Sequence, residues 1–366
     1  MAEKLKDLFF SSSFIDQLGD AIQRVYPGFD KGEFARLVCD STWETKELKE
    51  RMRHVAHCLH ETLPEDYPGT LDILTKVAPS FHGFDAMVFP EYVGRYGLDH
   101  WDLSLPALAF FTKFASSEFA IRPFLARDPE RALAYMRVWA EDENHHVRRL
   151  ASEGCRPRLP WAMALTAFKK DPRRILPILE ELKGDESEYV RKSVANNLNS
   201  ISRDHPDLVL DICERWYGHT KGTDWVVKRA CRTMLKAGNQ RALSLFGFGE
   251  PTHISVENLT LDKETLCIGE DLHYTFELRI HTEEACKVRL GLGVYYVKAK
   301  GKLSLKVFHI REDSFDPGSH VISRRHSFEN RSTRKHYPGE HQLAIIVNSV
   351  EKARASLELK EDTSGR

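Results

Sequence analysis

The 366-residue sequence has no Cys-x-x-Cys pair; its seven cysteines (Cys39, Cys58, Cys155, Cys213, Cys231, Cys267 and Cys286) are odd in number and scattered. Neither a zinc ribbon nor a disulfide framework fits such spacing, and the thiols are expected to be reduced and structural. No run approaches the ~20 apolar residues that a membrane helix needs. The opening Met1-Ala-Glu-Lys-Leu-Lys lacks the apolar stretch of a secretory leader. These absences predict a cytoplasmic chain with no membrane partner. A GxGxxG fingerprint and a P-loop are also missing, and Gly291-Leu-Gly293 lies in a strand-like run, so no nucleotide cofactor is expected. His54, His57 and His60 recur every third residue, but no HExxH motif and no acidic ligand pattern accompany them, which argues against a metal.

What is present is the balance of a globular protein, with 42% hydrophobic and 29% charged residues. The length suits two or three domains. The net charge of −1 conceals an uneven distribution. Between Arg122 and Phe246 there are 23 Lys and Arg against 17 Asp and Glu, and elsewhere 30 against 37. A basic middle segment, gathered on one face, is what a protein that neutralises phosphates requires.

That segment repeats. Arg127-Asp-Pro-Glu-Arg-Ala-Leu, Lys170-Asp-Pro-Arg-Arg-Ile-Leu and Asp204-His-Pro-Asp-Leu-Val-Leu each place a proline where a first helical turn tolerates it. Asp128 and Asp171 stand where a side-chain oxygen caps the orphan amides, and His205 breaks that detail. Each helix leads through a polar turn to a second helix opening with Val147-Arg-Arg, Val190-Arg-Lys or Val227-Lys-Arg. Proline to valine is 18 residues in the first two copies and 21 in the third. A unit of two helices repeating at about 34 to 43 residues, as the prolines at 129, 172 and 206 do, falls in the range of HEAT-like arrays, which stack with a concave face. Ser104-Leu-Pro-Ala-Leu-Ala-Phe-Phe and Ser117-Glu-Phe-Ala-Ile-Arg-Pro-Phe-Leu read as a preceding helix pair, and residues 1 to about 100 as less regular helices.

After Gly247-Phe-Gly-Glu-Pro251 the hydrophobic period changes from about 3.6 to 2, as in His273-Tyr-Thr-Phe-Glu-Leu-Arg-Ile. About seven short runs separated by turn residues suit an immunoglobulin-like sandwich. The predicted fold is therefore mainly α: a HEAT-like α-α superhelical solenoid over residues 1–248, then an all-β immunoglobulin-like domain over 252–361.

Three segments, Ser117-Glu-Phe-Ala-Ile-Arg-Pro-Phe-Leu, His146-Val-Arg-Arg-Leu-Ala-Ser-Glu-Gly-Cys-Arg-Pro-Arg-Leu-Pro-Trp161 and Val190-Arg-Lys-Ser-Val-Ala-Asn-Asn-Leu-Asn199, together resemble the AlkC branch of the HEAT-like DNA alkylation repair glycosylases. The resemblance covers roughly residues 1–246, and the β domain looks like the extension some members carry. It implies a bacterial cytoplasmic monomer acting on alkylated double-stranded DNA without a cofactor. The implied reaction is excision of 3-methyladenine and 3-methylcytosine without full extrusion of the nucleotide. Related repeat proteins often carry Asp where Ser200 stands, so one carboxylate is absent here.

A cationic lesion needs little acid catalysis, because its glycosidic bond breaks toward a neutral base and an oxocarbenium-like sugar. The useful group is a carboxylate near the developing charge, stabilising it and orienting water. Glu118 and Glu153 are the candidates. Each also lies four residues from an arginine, Arg122 and Arg149, at the spacing of an ordinary surface helix pair. Trp161, after Arg156-Pro-Arg-Leu-Pro, either stacks on sugar or lesion or fills the core. Arg148, Arg149, Arg156, Arg158, Arg191, Lys192, Lys228 and Arg229 are the expected phosphate contacts. Asn196 and Asn197 either join them or cap neighbouring backbone. Tyr295, Tyr296, Lys298, Lys300, Lys302, Arg324 and Arg325 offer a second grip, against the alternative of solvated strand faces. The competing reading of the whole is a non-catalytic HEAT scaffold that binds DNA or protein.

Overall fold

Proline placement starts each repeat. The computed structural model describes residues 5–331 and 334–361. Within it Pro129–Ala140, Leu176–Leu182 and Pro206–Trp216 are the opening helices of three repeats, and His145–Gly154, Glu188–Ile201 and Lys221–Ala230 the closing ones. Asp128 and Asp171 accept hydrogen bonds from the Arg131 and Arg173 amides at 3.1 Å, and His205 makes no side-chain cap. The second repeat departs from the pattern, because Pro172–Ile175 is a 3-10 turn and the α-helix begins only at Leu176. Pro177 has no amide hydrogen to give the Arg173 carbonyl, and the Leu176 amide bonds it in the tighter geometry.

The closing helices lie side by side in repeat order. Their inward residues, Val147, Leu150, Val190, Val194, Leu198, Val226 and Val227, are fully buried. Each such side chain contributes about 1.5–3 kcal/mol of transfer free energy, and burial against neighbouring repeats is what holds a stacked array together. Upstream, the anticipated helix pair is Trp101–Phe111 and Ile121–Arg127, but Ser117, Glu118 and Phe119 lie before the second helix, not inside it.

Alternating hydrophobicity beyond residue 250 gives, among the described residues, eight strands: β1 Ile254–Leu261, β2 Thr265–Cys267, β3 Asp271–Ile280, β4 Cys286–Val297, β5 Leu303–Phe315, β6 Gly318–Ser327, β7 Gly339–Val347 and β8 Val350–Lys360. They form the sheets β1-β3-β6 and β2-β8-β7-β4-β5, antiparallel except for the β2–β8 pair. Leu272, Tyr274, Phe276, Leu278 and Ile280 of β3 join Leu290, Leu292 and Val294 of β4 and Leu343, Ile345 and Val347 of β7 in one core. This is an immunoglobulin-like sandwich. The chain divides into compact units between Ala230 and Cys231. The short helices Arg232–Lys236 and Gln240–Leu245 fall in the second unit. Within that unit Ser349 Oγ donates to the Leu235 carbonyl at 3.1 Å and Asn348 Nδ2 to that of Gly249 at 2.8 Å.

Candidate active site

Glu118 and Glu153 come from different elements and share one cation. Glu118 sits in the turn before Ile121–Arg127, and Glu153 in the last turn of His145–Gly154. Arg149, one turn before Glu153, forms a short hydrogen-bonded ion pair with Glu118 and lies 3.7 Å from a Glu153 oxygen. The Arg149 guanidinium also donates to Ser116 Oγ at 2.8 Å, and Ser116 Oγ donates to Glu118 at 3.0 Å. Glu153 is deeper: it pairs closely with Arg156 and accepts from Ser193 Oγ at 2.6 Å. Burial lowers the Arg149 pKa, but Glu153 and Glu118 outweigh it and the net shift is upward. Two carboxylates are thus held together by the guanidinium between them.

This geometry removes the surface-pair reading of Glu118 with Arg122. Arg122 is fully buried, donating to the carbonyls of Met163 at 2.7 Å and of Gly154 and Arg156 at 2.9 Å. Desolvation brings its pKa down to about 10. It therefore secures the loop that follows the His145–Gly154 helix. Glu153 does lie near Arg149 at the helical spacing, but with only 5% of its side chain exposed it is no surface pair.

The loop carries Trp161, which is 67% exposed and whose backbone has φ +63°. Core packing is excluded for this residue. A bulky side chain in the left-handed region costs on the order of 1–3 kcal/mol and persists only where its surroundings enforce it. Besides Arg122, Lys49 of the helix Leu48–Thr62 holds the loop, donating to the Trp161 carbonyl at 2.5 Å. Sequence reasoning missed Lys49, Ser193 and the true role of Arg122; none carries a local signal, because each contact is long-range.

The basic residues separate into unlike groups. Arg148 gives a two-pronged pair to Asp185 at 2.7 and 3.0 Å and donates to the carbonyls of Asp142 and Glu143. With 11% of its side chain exposed, it joins two repeats, and its donors are occupied where a phosphate contact was expected. Arg191 repeats half of that pattern, donating to the carbonyls of Asp185 and Glu186 at 2.6 and 2.8 Å. Arg158 pairs with Asp204 at 2.7 Å and stays partly exposed. Arg156 donates to Ser200 Oγ at 3.2 Å, and Ser200 in turn donates to the Asn196 carbonyl at 3.0 Å. Lys192 is exposed, while Asn196, Lys228 and Arg229 are half-buried, and the Arg229 guanidinium lies 5.5 Å from the Trp225 ring centroid. Asn197 is fully buried, donating to the Ser152 carbonyl at 2.8 Å, so its role is in the backbone of the array.

In the β domain Tyr296 is a core residue, its hydroxyl 2.7 Å from His326 Nε2. Tyr295 bonds Glu351 at 2.8 Å and Arg325 pairs with Asp271 at 2.8 Å. Lys298, Lys300, Lys302 and Arg324 are exposed. Of the three histidines of the Leu48–Thr62 helix, His54 Nε2 lies 3.1 Å from the carbonyls of Leu37 and Val38, while His57 and His60 both meet Tyr96, at its hydroxyl and its ring.

Stacked helix pairs that present paired carboxylates beside basic residues, followed by an immunoglobulin-like sandwich, coincide with two known families. Residues 112–234 match the family described as DNA alkylation repair enzyme, and residues 255–361 the C-terminal Ig-like domain of the uncharacterised protein YhaZ. The chain belongs to the DNA alkylation repair family. More narrowly, it is similar to the alkylpurine DNA glycosylase AlkC of Pseudomonas fluorescens, solved bound to DNA containing an abasic site analog. That likeness has 38% identity, a TM-score of 0.94, and coverage of 98% of this chain and 100% of the other. It is also 45% identical to the uncharacterized protein YhaZ of Bacillus subtilis (strain 168), over 94% of this chain and 96% of that protein. Its place is in the AlkC-type branch with a C-terminal immunoglobulin-like domain.

Proposed function

We propose that this chain is a monofunctional DNA N-glycosylase that releases 3-methyladenine and 3-methylcytosine from double-stranded DNA, without turning the nucleotide fully out of the helix. The observation that carries the reading is the convergence of Glu118 and Glu153 on Arg149, with Trp161 exposed on the adjoining loop. As the glycosidic bond breaks, its electron pair leaves with the base, which departs neutral, and positive charge develops on the sugar. Carboxylates in a largely dry setting stabilise that charge strongly. Water then bonds to C1′ and gives its proton to a carboxylate. The exposed indole stacks on the sugar or the lesion. The abasic product is the kind of DNA whose analog occupies the similar AlkC structure. The chain works as a cytoplasmic monomer and needs no metal or nucleotide.

One observation favours a scaffold instead: each carboxylate already has a guanidinium partner, as in a purely structural network. Incubation with methylated duplex and chromatography of the supernatant separates the two. The glycosylase releases 3-methyladenine and leaves alkali-labile abasic sites; a scaffold retains the duplex and liberates nothing.

A further inference from the structure

Trp161 holds a backbone conformation that a bulky residue does not adopt unaided. Hydrogen bonds from the Leu165 amide to the Pro157 carbonyl and from the Ala162 amide to the Leu159 carbonyl shape the loop on either side of it. Arg122 binds the loop at Gly154, Arg156 and Met163, leaving the Trp161 carbonyl between those points. That carbonyl takes its hydrogen bond from Lys49. The same Nζ lies 4.0 Å from the centroid of the Phe119 ring, next to Glu118 in the chain.

We propose that Lys49 is a positioning residue for base excision, fixing the Trp161 peptide against the Glu118–Phe119 turn so that the indole meets the damaged nucleotide in one orientation. Its helix, Leu48–Thr62, lies outside residues 112–234 and reaches the loop across 112 positions of sequence. The N-terminal helices thereby contribute to the site as well as to the stack. A lysine suits the task because its apolar stem crosses an aromatic surface while its head donates to a carbonyl. Burial, with Arg53 nearby, moves the Lys49 pKa below the ordinary lysine value, and Glu91 and Glu118 only partly offset this. An ammonium engaged with a carbonyl and a ring face has no lone pair for C1′ of an abasic sugar, so the role is placement and not covalent attack.

The functional half of this inference rests on the glycosylase reading; the structural half does not. The test uses the full chain labelled with 5-fluorotryptophan, its six tryptophans resolved by fluorine NMR and Trp161 assigned as the resonance missing from Trp161→Phe. Lys49→Met is expected to shift and broaden that resonance, and Lys49→Arg to restore it. In single-turnover release of 3-methyladenine, Lys49→Met should slow excision about 10-fold or more, since small misplacements are costly. Duplex affinity should stay within about 2-fold, and Lys49→Arg should recover most of the rate. In the Trp161→Phe background Lys49→Met should slow nothing further. An unmoved Trp161 resonance overturns the proposal, as does an equal loss of rate in both backgrounds or a borohydride-trapped adduct of Lys49 with abasic DNA. Should the wild-type chain release no base, the glycosylase reading fails, and the fluorine spectra still decide whether Lys49 holds Trp161.

Discussion

Arg148 and Arg149 are adjacent in sequence and do different work. In the sequence both belong to a recurring valine-basic-basic pattern, and nothing local distinguishes an arginine facing phosphate from one facing the next repeat. The structure separates them by the partner each reaches: Asp185 for Arg148, Glu118 and Glu153 for Arg149. Removing one member of a buried ion pair strands the other, at about 3–5 kcal/mol. Arg148→Met is accordingly expected to lower stability by about 3 kcal/mol in urea unfolding, and a change below about 0.5 kcal/mol would return Arg148 to the pool of phosphate contacts. Lys192, exposed one residue after Arg191, should behave in the opposite way. Lys192→Ala should leave the unfolding midpoint unmoved, weaken duplex binding regardless of sequence, and reduce the salt slope of log affinity by about 1. An unchanged slope places the duplex elsewhere.

The elements that carried a short-range signal were the legible ones. A proline at the first turn, an aspartate cap and a valine 18 residues on are all local; the helix Pro129–Ala140 begins where those signals put it, and His145–Gly154 begins two residues before its valine, at the Asn144 cap. The loop between Gly154 and Thr166 gave only its stiffness. Its conformation comes from Arg122 and Lys49, whose contacts span tens of residues and have no periodicity to read. Strain at Trp161 leads to a further expectation. Glycine accepts positive φ without the steric cost, so Trp161→Gly should leave stability unchanged or raise it by up to about 1 kcal/mol. Excision should nevertheless fall at least about 10-fold, the pattern of a residue retained for function at the expense of stability. A Trp161→Gly variant that unfolds early and excises normally would mean that the ring serves packing.

For the molecule as a whole, the order of a helical array and then a sandwich was legible because the hydrophobic period changes once. The helices Arg232–Lys236 and Gln240–Leu245 have the helical period of the array and group with the strands in the second compact unit. The pairing of Glu118 with Glu153 was legible only through resemblance, because spacing alone pointed Glu118 toward Arg122 and Glu153 toward Arg149 as surface helix pairs. Within the sandwich, burial and the nearby Arg334 guanidinium hold His326 and His336 at pKa values of about 4. Unfolded, both titrate near ~6.5. Between those values the unfolded chain binds protons that the folded sandwich refuses, so stability is full above about pH 6.5 and declines as pH falls toward 4. Thermal scans of the sandwich transition should show this decline, and His326→Gln should make it shallower; identical pH profiles for the two proteins would exclude His326 as a source.

The most direct measurement is single-turnover release of 3-methyladenine from methylated duplex by the wild-type chain and by Glu118→Gln combined with Glu153→Gln. Electrostatic groups of this kind are worth about 10²–10³ in rate. The double variant is predicted to bind the duplex and lose at least that factor. Release at the wild-type rate by the double variant would contradict the assignment of these two carboxylates.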